Sequence, residues 1–268
     1  MRIVLGIEYD GSQFCGWQRQ TDTKTVQQTL EQAISEVADR SVCIHAAGRT
    51  DTGVHATEQV IHFDCSALRD SRAWVMGVNT HLPDSVSVLW AKIVHEDFHA
   101  RYAAVSRYYR YVILNRSVRP AILNRQVTWM YYALDSVRMQ QAASFLEGTH
   151  DFSSYRATAC QARSPVRTVH QLTVQRQGEF VFIDILADGF LHHMVRNIAG
   201  VLIAIGKGEQ DIDWTRTILE SRDRASGGIT APASGLYLVK VQYDDRYGLN
   251  SAVKWPAIGI DSPRHAVE

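Results

Sequence analysis

The spacing of apolar residues changes period several times along this chain, and that switching constrains the fold more than any other feature. Residues 2–9 (Arg-Ile-Val-Leu-Gly-Ile-Glu-Tyr) are a run rich in branched side chains, which predicts a buried strand. Thr25 and Gln28 then make a capping-box pattern, and Val26, Leu30, Ala33, Ile34 and Val37 recur at helical spacing. A helix with one apolar stripe must pack on a sheet. Strands are expected at 41–45, 59–64 and 86–94, with a short helix at 71–79 closed by Leu82-Pro83-Asp84.

The same alternation continues after residue 103 without a close sequence repeat. Residues 106–114 have strand character, with Arg107, Tyr109 and Tyr111 on one face and Tyr108, Arg110 and Val112 on the other. Asp135 caps a helix running to about Leu146, where Gly148 ends it. Residues 166–175 and 180–187 predict a hairpin turning at Gly178. Met194, Ile198, Val201, Leu202 and Ile205 form the core stripe of a further helix, leaving Arg196 off that stripe. A helix near 212–221 and a strand at 236–243 complete the second half.

Strands interrupted by helices in both halves predict an α+β protein with two units, 1–103 and 104–247, joined in one largely antiparallel sheet. The remainder, 248–268, is expected to lie loosely on the surface as a tail. The 268 residues and 46% hydrophobic content allow a sizeable core. No run is long enough to span a membrane, and the first residues lack the apolar region of a signal peptide. Cys15, Cys43, Cys65 and Cys160 are widely spaced, which fits a reducing cytoplasm better than a disulfide framework or zinc ribbon. A net charge of zero does not exclude a nucleic-acid partner, because a local basic patch suffices.

One stretch has no period at all. Residues 46–56 (Ala-Ala-Gly-Arg-Thr-Asp-Thr-Gly-Val-His-Ala) place Arg49 and Asp51 between Gly48 and Gly53, and strands bracket them. A carboxylate beside a guanidinium on a rigid platform is a candidate reaction centre; the simpler reading is a pair that pins a turn. The cluster 97–101 is polar and aromatic without a period, near the boundary between the halves, and two other places mix aromatics with arginines: the loop 10–20 and the strand 106–114. That composition suits stacking on bases and contacting phosphates, although taken alone a surface loop with one anchoring tryptophan and a half-buried strand with snorkelling arginines are the commoner readings. His192 and His193 lack an H-E-x-x-H pattern, and neighbours on a helix point apart, so no metal site is expected.

Gly48-Arg49-Thr50-Asp51-Thr52-Gly53-Val54-His55 strongly resembles the signature of the TruA family of tRNA pseudouridine synthases. Tyr9-Asp10-Gly11 with Gly16–Gln20, Asp97–Arg101, Arg107–Tyr111, Asp151–Ser153, His193–Asn197 and Gly235–Leu238 resemble the same family in the same order. The likeness spans roughly residues 2–247 and departs at Thr52, where the family often has alanine. It implies two RNA-recognition-like (ferredoxin-like) halves with helices on one side of the shared sheet and a catalytic cleft between them. It also implies isomerisation of uridine in the tRNA anticodon stem-loop, at tRNA positions 38–40, by a homodimer using no cofactor and no metal.

The reaction must break the N1–C1′ bond, turn the uracil and rejoin it through C5, with no net redox change. A carboxylate can act as nucleophile or base in the first step. By resemblance Asp51 is that group and Arg196 its partner. Tyr109 stacks on the extruded base, Arg49 fills the vacated stack or holds phosphate, and Leu236 walls the pocket. A non-catalytic RNA-binding protein would use the same aromatics and arginines but has no need of Asp51. A glycoside hydrolase would normally need a second carboxylate across the cleft.

Overall fold

In the computed structural model, which describes residues 1–259, ten strands hydrogen-bond into one sheet. They are β1 (Arg2–Tyr9), β2 (His45–Ala46), β3 (His55–Asp64), β4 (Val86–Val94), β5 (Ala104–Asn115), β6 (Thr128–Met130), β7 (Gly148–Asp151), β8 (Val166–Gln177), β9 (Phe180–Ala187) and β10 (Leu236–Tyr243). The order is β4-β1-β3-β10-β5-β9-β8-β7, with β2 added beside β3 and β6 beside β5. Pairing is antiparallel except where β10 meets β3 and β6 meets β5. The expected α+β class and largely antiparallel sheet are therefore present. No helix among the described residues is long and apolar enough to cross a membrane.

The helices are α1 (Val26–Ala38), α2 (Ser71–Thr80), α3 (Ser136–Ala143), α4 (Met194–Gly206) and α5 (Trp214–Ser221). Thr25 caps α1 as its sequence suggests, its side chain accepting from the Gln28 N–H. Asp70 and Asp135 cap α2 and α3 in the same way. The α1 stripe of Val26, Leu30, Ala33, Ile34 and Val37 is buried against the sheet. Each fully covered leucine or isoleucine there contributes about 1.5–3 kcal/mol.

The two faces of β5 separate as its alternation predicts. Tyr109, Tyr111 and Ile113 join the main core with the helices. Val112 and Leu114 join a second core on the other face, with Phe182, Tyr237 and Val239. No residue of a helix contributes to the buried part of that second core among the described residues. Its cover is Val127 and the chain beyond β10, where Ile258 is buried and Val253 and Trp255 pack alongside.

That cover corrects the expectation of a loose tail. Thr57 Oγ1 donates to the Lys254 carbonyl, and Ser251 donates to the buried Glu58 carboxylate. Trp255 lies over the Arg110 guanidinium at 3.7 Å, while Arg110 forms a two-pronged pair with Asp184, both bonds being 2.7 Å. Burial raises the Asp184 carboxyl above its ordinary range against the pull of Arg110. Prolines and charges suggest a surface segment, but Val253, Trp255 and Ile258 have an apolar sheet face to cover. Residues 260–268 of the expected tail lie outside the described residues.

A second correction concerns 41–45, where pairing is confined to His45–Ala46. The Val42 and Ile44 N–H groups are taken instead by α1 side chains, Ser35 Oγ at 3.0 Å and Glu31 Oε1 at 3.1 Å. Side-chain acceptors satisfy this backbone without a ladder. The halves themselves are joined through a short parallel register, Tyr237 opposite His55 and Leu238 opposite Ala56. The aperiodic loop 46–56 runs directly into this seam.

Candidate active site

The loop carrying Asp51 is fixed from four directions. Gln59 Nε2 donates to the Gly48 carbonyl at 2.8 Å, and Arg107 Nη2 donates to Ala47 at 3.1 Å. The Trp17 N–H donates to Thr50 at 3.0 Å, and the Thr50 hydroxyl meets the Tyr9 hydroxyl at 2.8 Å. The Val54 N–H closes a turn on the Asp51 carbonyl. His55 Nδ1 accepts from the Gly11 N–H, and its Nε2 faces the Arg125 carbonyl. Burial is the largest cause lowering the His55 pKa, against the opposing pull of Asp10, whose Oδ1 lies 3.1 Å from Nδ1.

The aromatic loop 10–20 serves this purpose rather than offering its rings to a ligand. Phe14 and Trp17 are buried. Gly16 has φ +83°, and a Cβ there would sit 3.1 Å from the Thr50 carbonyl and 3.3 Å from Asp51 C. Only glycine permits both the backbone angle and the approach. Gly11 is pressed still closer to Val54.

Arg196 enters from the first turn of α4. Its Nη1 donates to Asp51 Oδ2 at 3.0 Å and its Nε to the Ala231 carbonyl at 2.9 Å. The Ala231 N–H returns a bond to the Arg196 carbonyl. The guanidinium is thus aimed by two anchors while its helix stripe is buried. Arg49, the nearer arginine in sequence, is exposed and makes no hydrogen bond or ion pair among the described residues. The pair that pins the site therefore joins residues from the two halves, and the turn-pinning reading of Arg49 and Asp51 does not apply.

Tyr109 is 8% exposed, and a Cβ on Gly48 would lie 3.9 Å from its hydroxyl. Burial, with the Asp51 charge nearby, raises its phenol above the ordinary value, which makes it a poor proton acceptor. Phe190 meets it edge to face at 5.0 Å. Leu238 is directly opposite Tyr109 across the β5–β10 ladder, and Leu236 is opposite Tyr111. Leu236 therefore shares the face of Tyr109 but is a diagonal neighbour, about 7–8 Å away by backbone spacing.

Sequence spacing gives no reason to join His192 and His193 at one site, because neighbours on a helix diverge. The structure brings both onto Asp51. His192 Nε2 lies 3.3 Å from Oδ1, and His193 Nε2 lies 3.3 Å from Oδ2. Neither is inside the helix. His193 is the residue before α4 and has φ 62°, a left-handed conformation unusual for a bulky side chain. That bend lets successive rings converge, with centroids 4.1 Å apart. Burial lowers the His193 pKa, favouring a neutral ring. The three ligating groups lie close enough to hold an ion in principle. Arg196 already supplies a cation at the same carboxylate, so a hydrogen-bonded carboxylate accounts for the arrangement.

Asp51 is left 21% exposed at its side chain, reachable yet held at Oδ2 by Arg196. Such a carboxylate can act as nucleophile or base at a group presented over Tyr109 and Phe190.

Residues 6–103 and 142–244 match a family model described as tRNA pseudouridine synthase. Asp51, Arg196 and Leu236 fall within those segments, and Tyr109 falls between them. A protein of Nitrosococcus oceani called tRNA pseudouridine synthase A is 58% identical over 93% of this chain and 96% of its own length. Proteins of the same name from Legionella pneumophila and Methylococcus capsulatus are 55% and 52% identical, covering 93% and 99% of the chain and 95% and 98% of theirs. A solved Cbf5-Nop10-Gar1 complex aligns over 88% of this chain and 48% of that chain, with TM-score 0.39 and 10% identity.

Proposed function

This chain belongs to the tRNA pseudouridine synthase family, isomerases acting on tRNA, and from that premise we propose that it converts uridine to pseudouridine in the anticodon stem-loop. The observation that carries the reading is Asp51, held by a rigid loop and by Arg196 from the opposite half, yet still reachable. A protein that only binds RNA has no use for an anionic group at the centre of its cleft.

The target base must first leave its stack, at a cost of about a few kcal/mol. Tyr109 and Phe190 offer it a ring surface, and Leu236 closes the apolar side. Arg49, exposed and without an internal partner among the described residues, contacts the phosphate or fills the gap left in the stem. Asp51 attacks the nucleotide and is expelled again as the product forms, or removes a sugar proton and later returns it; the N1–C1′ bond breaks, and C5 replaces N1 on the same carbon. The C5 proton goes to solvent and another is taken up at N1, so no electrons are gained or lost. Arg196 holds the carboxylate in place throughout. The chain acts as a homodimer in the cytoplasm, pooling the basic rims of two clefts around one tRNA.

The test is Asp51→Asn with tRNA labelled with tritium at uridine C5. Tritium release and pseudouridine are expected from the wild type and neither from the variant, while both bind tRNA. Equal yields from the two proteins would end the proposal; free uracil would indicate hydrolysis instead.

A further inference from the structure

Outside the catalytic cleft, four rings gather at the edge where β2 lies beside β3. His45 stacks on His62 with centroids 5.0 Å apart. His99 meets His62 at 4.6 Å and His45 at 5.3 Å. Tyr102 lies against His99 at 4.3 Å, and the Arg101 guanidinium lies 5.7 Å from the Tyr102 ring centre. The stack runs from the interior to the surface: His62 is 2% exposed, while Tyr102 is 76% exposed and His45 is also exposed.

Nothing in the folding of the chain requires an exposed tyrosine at the end of such a stack. The inner members are fixed by the backbone. The Ala100 N–H donates to His62 Nδ1, and the Arg101 and Tyr102 N–H groups donate to His99 Nδ1. Burial is the largest cause lowering the pKa of both, that of His62 to about 3, and the neighbouring Arg2 and histidines add to it. Both rings are therefore neutral near pH 7 and stack without mutual repulsion.

This edge is tied to the catalytic loop through Arg107. Its guanidinium donates to the carbonyls of Ala47, Arg101, Ala104 and Asp188. Ala47 begins the Asp51 loop, and Arg101 belongs to the ring stack. Arg107 is two residues from Tyr109 on the same face of β5, so its side chain lies about 7 Å from Tyr109.

We propose that the Tyr102 and His45 rings, with Arg101, form a stacking platform for an unpaired RNA nucleotide next to the one being isomerised. A base stacked on the exposed ring would have its phosphate within reach of Arg101, and stacking on aromatic faces is tolerant of base identity. Such a nucleotide occurs where a helical stem passes into its loop. The inference rests on the chain being a tRNA-modifying enzyme and specifies a subsite for the same substrate.

The experiment uses the full-length protein and an anticodon stem-loop RNA carrying 2-aminopurine beside the target uridine. Fluorescence quenching on binding is expected with the wild type and is expected to be lost with Tyr102→Ala, with the Kd raised about tenfold. Tyr102→Phe keeps the ring and is expected to behave as wild type in both readouts. Tyr102 is largely exposed, so both variants are expected to unfold at the wild-type temperature; the unfolding midpoint checks this. Unchanged Kd and quenching in Tyr102→Ala would overturn the platform while leaving the enzymatic reading intact. Equal weakening by Tyr102→Phe would overturn stacking as its basis. Failure of the wild type to bind the RNA or form pseudouridine would remove both proposals.

Discussion

Replacing Arg196 by lysine keeps the charge and removes the geometry, which makes Arg196→Lys the sharpest probe of the site. In the native arrangement two different nitrogens serve two acceptors, Asp51 Oδ2 at 3.0 Å and the Ala231 carbonyl at 2.9 Å. A single ammonium on a flexible stem cannot hold both in the plane that a guanidinium provides. A hydrogen bond to a charged partner is worth about 1.5–3 kcal/mol. The two side chains are 16% and 21% exposed, so water screens part of this. A double-mutant cycle of Arg196→Lys with Asp51→Asn, read by urea unfolding, is therefore expected to give a coupling of about 1–2 kcal/mol. Turnover is more sensitive than stability, because a carboxylate displaced by about 1 Å costs on the order of 100-fold in rate. Single-turnover tritium release at saturating tRNA measures that loss directly. A lysine variant within about threefold of the wild-type rate, with additive stabilities in the cycle, would refute the claim that Arg196 positions the acid.

Gly16→Ala is expected to lose about 1–2 kcal/mol in urea unfolding from the left-handed backbone alone, and to slow turnover as the new Cβ pushes on Thr50 and Asp51. An alanine variant as stable and active as wild type would show that the two loops are not locked together. His62 is held neutral, with its pKa depressed from 6.5 to about 3, so the unfolded chain binds more protons than the folded one between those values. Stability from this group is fully present above about pH 6.5 and is lost progressively as pH falls toward 3. Unfolding measured at several pH values should show this slope, and His62→Gln should flatten it; an unaltered slope would place the acid sensitivity elsewhere.

The elements with a strong period are legible in the amino-acid order alone. The α1 stripe, the Gly178 hairpin and the two faces of β5 follow from side-chain alternation, which burial enforces. The segments that depart from expectation carry no such signal. Residues 41–45 have alternating apolar side chains that are buried, but Glu31 and Ser35 take the hydrogen bonds a strand would use. β7, Gly-Thr-His-Asp, carries no strand pattern of its own, because an edge strand owes its form to its partner β8. At the site, Asp51 and Arg196 are legible through resemblance, and the structure places them in contact across 145 positions of sequence. The convergence of His192 and His193 is not, because it depends on a left-handed φ at His193 that side-chain spacing does not encode. A histidine pair immediately before a helix, rather than inside it, is the one signal the sequence offers.

Because the site lies at the seam, activity depends on how the two halves dock. Asp51 is supplied by the first half, while Arg196, both histidines and Tyr109 come from the second. Among the described residues the sheet joins the halves through two register pairs, Tyr237–His55 and Leu238–Ala56. Two ladder pairs are a weak hinge for geometry that chemistry needs to within about half an ångström. The additional ties are therefore part of the site: Arg107 gathering carbonyls of both halves, Arg125 receiving His55, and the chain beyond β10 folding back to Glu58 and Thr57. Each of these bonds closes a long loop, an entropy cost that the docked halves together must offset. The carboxylate acquires its partners only when both halves have docked, so the reaction reports on the joint and not on either half alone.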